Sequence, residues 1–134
     1  MLKGHYGSQP YFETIDTPEN QEFVKAYHEK FGEDEPISAV IEAAYTSVHL
    51  LAKALEKVED PYDADALLEA FIGLEFNAPQ GTVTIDENNH TYLFSRIGQV
   101  NENGEYEVIF ESNEAIKPEP WSKLLFPDHE EPWK

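Results

Sequence analysis

"FNAPQGTVTIDENNH", from Phe76 to His90, is where the chain changes character. Before it, apolar residues recur every three or four positions. From "GTVTI" (81–85) onward they alternate, and a period of two marks strands. "DENN" (86–89) lies between two alternating runs, where a hairpin turn is expected. Asp and Asn suit such a turn because their side chains bond the nearby backbone. Asp86, Asn88 and His90 are spaced like cation ligands, but the run lacks the glycine and terminal glutamate of a calcium loop. It reads as a turn, and no metal is expected there.

Upstream of this stretch the pattern is helical. "DTPENQEFVKAYHEKFG" (16–32) has Thr17 as N-cap, Pro18 at the first helical position and Glu19 against the dipole. Phe23, Tyr27 and Phe31 form its apolar stripe, and Gly32 ends it. "PISAVIEAAYTSVHLLAKALEKVED" (36–60) predicts a longer helix, from about Ile37 to Val58. Ile41, Ala44, Val48, Leu51, Leu55 and Val58 form a stripe that Tyr45, Leu50 and Ala52 widen, so most of this helix should be buried. "DADALLEAFIG" (63–73) predicts a third helix, capped by Asp63 or Asp65 and stopped by Gly73. It packs through Leu67, Leu68, Phe71 and Ile72.

Downstream, "TYLFSRIGQV" (91–100) and "EYEVIFES" (105–112) read as strands joined by the turn "NENG" (101–104), with Gly104 suited to positive φ. Near the start, "YFETI" (11–15) reads as a short strand in an otherwise irregular aromatic segment. The expected fold is therefore α/β, three helices followed by a small β-meander. Residues 123–134 form a proline-rich extended tail, tacked down by Trp121 and Trp133.

Composition narrows the function. Forty per cent hydrophobic residues argue against a disordered chain. There is no cysteine, hence no disulfide and no thiolate chemistry. A net charge of -18 repels phosphate backbones, which excludes nucleic acid as a partner. No apolar run reaches the roughly 20 residues of a membrane span. "MLKGHYGSQP" has no apolar signal-peptide core. The five histidines show no metal-binding spacing. No serine lies in a nucleophile elbow, and no glycine-rich phosphate loop is present. No catalytic residue and no cofactor is expected.

Four stretches in this order carry a family resemblance: "GHYGSQPYFETIDTPENQEFVKAYHEKFG", "EAAYTSVHLLAKALEKV", "FNAPQGTVTIDENNHTYLFSRIGQVNENGEYEVIFES" and "IKPEPW". Together they resemble the C-terminal part of the type I periplasmic binding proteins of the branched-chain amino acid family. The start "YFETIDTP", the "AP–QG–V" strand and the "NNH…RIG" strand look most like the urea and short-chain amide branch. The resemblance covers about residues 4–122 and implies an incomplete lobe, a C-terminal fragment of the receptor. It implies a receptor for a small polar solute (urea, a short-chain amide or an amino acid) that serves the membrane permease of an ABC transporter, in the periplasm or outside the cell. A cytoplasmic amide sensor of the same fold is the alternative. It also implies ligand contacts from Tyr45, whose equivalents face the cleft, with Glu42 on the same helix face and Tyr11 near the lobe crossover. His90, in "NNH", reads as structural. The broad stripe of the long helix implies that a fragment standing alone pairs as a homodimer.

Overall fold

The computed structural model describes residues 2–128. Its elements run β1 (Tyr6–Gln9), α1 (Pro18–Phe31), α2 (Ala39–Leu55), α3 (Ala64–Phe71), β2 (Glu75–Ala78), β3 (Gly81–Ile85), β4 (Thr91–Tyr92), β5 (Arg96–Val100) and β6 (Tyr106–Glu111). The α/β class is as expected, and so is the order of three helices before the strands β2 to β6. Thr17 caps α1 by accepting the Asn20 N–H, and Pro18 opens the helix. Asp63, rather than Asp65, caps α3 through the N–H groups of Asp65 and Ala66.

The strands form two antiparallel sheets of three strands each rather than one meander. β2, β3 and β4 form a true meander. β5 and β6 turn away and pair with the N-terminal β1, in the order β1-β5-β6. The strand expected over 91–100 is broken at Leu93–Ser95, so its halves lie in different sheets. The N-terminal strand also lies earlier than expected. Tyr6–Gln9 pairs with Gln99–Arg96, and Pro10, which has no N–H to continue a ladder, follows it. Tyr11, Phe12 and Ile15 instead form a buried knot with Phe23 and Ile37.

The molecule thus has two bodies. One is the β1-β5-β6 sheet. The other is the three helices with the β2-β3-β4 sheet, packed around Leu50, Ala54, Leu74, Ala78, Val83 and Ile85. The chain crosses between them twice, at residues 10–17 and at 93–95. Beyond β6, Leu93 bridges to Ile116 and holds the start of the tail. Trp133 lies outside the described residues.

The long helix corrects one expectation. Its fully buried positions are Glu42, Thr46, Leu50 and Ala54, one face at i, i+4, i+8 and i+12. Much of the expected stripe points outward: Val48 is 66% exposed, Leu51 39% and Leu55 37%. Apolar side chains cover both sides of the helix, and the rest of the described chain packs on only one.

Candidate functional site

The two bodies meet in a crease of about 560 Å³. Its apolar walls are Tyr11, Phe12 and Tyr106 on one side and Val24, Ile37 and Ile41 on the other. The Phe12 and Tyr106 rings pack 4.9 Å apart, because Gly98 beneath them has no side chain. A Cβ there would lie 2.9 Å from Phe12 Cζ and 3.0 Å from Tyr106 Cδ1. Thr14 ties the first crossing to the sheet by donating to the Tyr106 carbonyl at 2.5 Å. Gln9, Thr14 and Ser38 supply polar groups at the edge.

The acids of this wall are partly engaged. Glu13 accepts the Ile37 N–H at 2.9 Å and lies 3.2 Å from His28 Nε2. Glu105 is part of the lining, and among the described residues no Lys or Arg lines the crease. A volume of this size suits a small organic solute. The wall offers such a solute an apolar seat and hydrogen bonds, but no cation for a carboxylate.

The three residues singled out from the sequence fall in three settings. Tyr11 lines the crease but is buried, and its hydroxyl donates to Asn20 Oδ1 at 2.9 Å. Burial raises its pKa, and the charges of Glu13 and Glu42 push it further the same way. Glu42 lies beneath the surface of α2, fully buried. It accepts from Thr46 Oγ1 at 2.9 Å and from Gln80 Nε2 at 2.9 Å. Burial raises its pKa, opposed by those two hydrogen bonds and by the charge of Arg96. Tyr45 is 37% exposed, away from the crease. It sits in an aromatic ladder, 4.6 Å from Phe23 and 4.4 Å from His49, whose ring stacks on Phe76. Phe23 stands between Tyr11 and Tyr45, its ring 6.3 Å from the one and 4.6 Å from the other.

The residue that sequence reading missed is Arg96, the chain's single arginine, at 1% exposure. Its guanidinium donates to the Pro10 carbonyl at 2.5 Å, to the Gln80 carbonyl at 2.7 Å and to Glu111 Oε2 at 2.5 Å. It also lies 4.8 Å over the Phe94 ring. Phe94 in turn packs on Gly81, at φ +112, where a Cβ would come within 2.7 Å of the ring. "AP–QG–V" and "RIG" thus meet in space. The available signal was a lone arginine, the residue type best fitted for several directed hydrogen bonds.

The run expected to turn does so. Asp86 N–H donates to the His90 carbonyl, Asn89 N–H donates to the Asp86 carbonyl, and Asn89 has φ +62. The Asp86 carboxylate faces Lys117 Nζ at 3.6 Å.

Comparison with known proteins places this architecture. The model of the periplasmic binding protein domain matches residues 1–126, and the chain belongs to that family. It is similar to a solute-binding protein of an ABC transporter from Rhodopseudomonas palustris BisB5, solved in complex with 3,4-dihydroxybenzoic acid. There the identity is 26% and the TM-score 0.77, over 87% of this chain and 32% of that one. It is 34% identical over 76 residues to the Leu/Ile/Val-binding protein homolog 6 of Brucella abortus, covering 56% of this chain and 20% of that protein. It is 31% identical over 117 residues to a Geobacillus stearothermophilus protein named limonene hydroxylase, over 87% of this chain and 21% of that protein. The chain therefore spans about a fifth of the curated relatives and a third of the solved structure.

Proposed function

We propose that this chain supplies one wall of the solute cleft of an ABC-transporter binding protein, and that the crease between its two bodies is that wall. The observation that carries the reading is the crease itself, bounded by both bodies and by the first chain crossing at Tyr11 to Thr14. Receptors of this kind hold solutes by closing two lobes about such crossings. The whole receptor would work in the periplasm or outside the cell and hand its solute to a membrane permease.

The solute class follows from the wall. The half-exposed Ile41 and Tyr106, backed by the buried Phe12 and Ile37, would be wasted on urea. They suit a solute with an apolar body, such as an aromatic acid or a branched-chain amino acid, which the relatives' names also suggest. A short amide with an apolar chain remains compatible with the polar edge. With no cation in this wall, a solute carboxylate would be bound by another part of the receptor. The hydroxylase name belongs to a protein of which this chain matches a fifth, and nothing in the crease draws that chemistry here.

The outward face of α2 bears on partners. Val40, Ala44, Val48, Leu51 and Leu55 form a contiguous apolar surface of the kind that pairs with another. In the receptor it would be covered by the remainder of the fold. In the chain alone two copies would pair through it.

Two titrations test the cleft reading. Calorimetry with leucine, 4-hydroxybenzoate, urea and acetamide should show no micromolar binding to this chain, since one wall gives half the contacts. Amide NMR shifts at high solute concentration should fall on Phe12, Ser38, Ile41 and Tyr106, and be larger for leucine or 4-hydroxybenzoate than for urea. Micromolar binding would overturn the one-wall reading. Shifts confined to other surfaces, or none with any of these solutes, would overturn the site.

A further inference from the structure

We propose that Arg96 is the positioning residue that sets the opening of the crease, acting as a clasp across both chain crossings. This rests on the cleft reading for its purpose but not for its geometry. Arg96 stands at the first residue of β5, where the second crossing enters the β1-β5-β6 sheet. Each arm of its guanidinium goes to a different part of the molecule. One grips Pro10, at the exit of β1 into the first crossing. One grips Gln80, in the turn between β2 and β3 of the other body. The third is rooted by Glu111 on β6, its register partner.

The grip continues into the helices. The Gln80 side chain donates to Glu42 on α2. The neighbouring Pro79 carbonyl accepts from Thr17, the N-cap of α1, at 2.9 Å. The β2–β3 turn is thus held from α1, α2 and Arg96 together, and Phe94 on the second crossing is wedged against Gly81 of the same turn. The walls of the crease belong one to each of the bodies so joined: Phe12 and Tyr106 pack with the β1-β5-β6 sheet, Ile37 and Ile41 with the helices. A planar guanidinium with fixed donor directions holds two bodies at one angle, whereas a flexible ammonium holds them only near each other. Two of the three acceptors are backbone carbonyls, so the angle is set by main chain rather than by mobile side chains.

The chain has no cysteine, so a pair of introduced ones gives clean spin labels. Glu69→Cys on α3 and Glu107→Cys on β6 place one label on each body, at exposed positions. With Arg96 present, the distance distribution between labels should be single and narrow. Arg96→Met should widen it by about twofold or split it, as expected when a fixed angle becomes an ensemble. Arg96→Lys should fall between them. Glu111→Ala, which removes only a half-exposed partner, should also widen the distribution and keeps the test alive if Arg96→Met does not fold. A residue that merely stabilises would lower the melting temperature and leave the width unchanged. An unchanged width in folded Glu111→Ala and Arg96→Lys proteins overturns the clasp. If the width responds but no solute shifts the crease resonances, the clasp stands and the cleft reading falls.

Discussion

Replacing Gly81 with alanine tests the tightest of the glycine contacts. Gly81 has φ +112, and a Cβ there would sit 2.7 Å from Phe94 Cε2 and 3.3 Å from Cδ2 and Cζ. The backbone strain is worth about 1–3 kcal/mol, and forcing the ring aside adds about 1–3 kcal/mol of overpacking. Phe94 cannot retreat freely, since Arg96 lies 4.8 Å from its face. At this chain length each kcal/mol moves the melting temperature by a few degrees, so Gly81→Ala should melt on the order of 10 °C lower. Gly73→Ala is the control. Gly73 also has positive φ, +74, but has nothing within 4 Å of a built Cβ. Its loss should be the backbone strain alone, about 1–2 kcal/mol. Thermal denaturation followed by circular dichroism measures both. Adding Phe94→Leu to Gly81→Ala should recover part of the loss, a coupling that a double-mutant cycle isolates. Equal losses at Gly81 and Gly73, with no recovery from Phe94→Leu, would refute the wedge.

Three further outcomes are expected. Glu42 has its folded pKa raised above the ordinary 4.5, so the folded state holds that proton more tightly than the unfolded chain. The stability this proton confers is complete below the unfolded value and is lost as pH rises through the folded one. Glu42→Gln should therefore flatten the fall of stability with pH above about 4.5. Urea denaturation at several pH values reads the effect. Sedimentation should show this chain self-associating more tightly as salt rises, since salt screens the charge of -18 within about 10 Å at 0.1 M and leaves apolar burial intact. Val48→Glu should abolish that association, and a wild-type monomer at every salt concentration would show that the α2 face does not self-pair. Calcium at millimolar concentration should leave the amide resonances of Asp86–His90 unmoved, because Lys117 already faces that carboxylate.

Local signals were legible wherever one residue settles a local geometry. Thr17 and Pro18 start α1, Asp63 starts α3, and Gly104 takes φ +89 in the last hairpin. The "DENN" turn follows from Asp and Asn chemistry alone. What pattern reading did not supply was the partition of strands between sheets. Thr91–Ile97 holds no glycine or proline, and its division at Leu93–Ser95 comes from a distant cause. Phe94 must reach Gly81, while Arg96 must reach Pro10 and Gln80. Likewise Tyr11–Ile15 has strand-like composition, but Tyr11 and Phe12 are claimed by a buried cluster with Phe23 and Ile37. Tertiary contact outweighs strand propensity there.

The long helix shows why the candidate site was only half legible. Counting apolar positions on α2 gives the stripe through Val48, Leu51 and Leu55, yet the buried face is the one that carries Glu42 and Thr46. Apolar periodicity cannot see that face, because two of its four residues are polar. Those two are tolerated because each has a partner: Thr46 donates to Glu42, and Glu42 receives Gln80. A helix with apolar side chains on nearly every side belongs between two packing layers. This chain supplies one of them, through Leu50 and Ala54 against Leu74, Ala78 and Val83. The buried carboxylate and the exposed valines and leucines are then consequences of one arrangement. The inner layer needs Glu42 to anchor the Gln80 turn that Arg96 grips. The outer stripe has the breadth to meet a second apolar surface, and the relatives, of which this chain spans a fifth to a third, have the length to provide one.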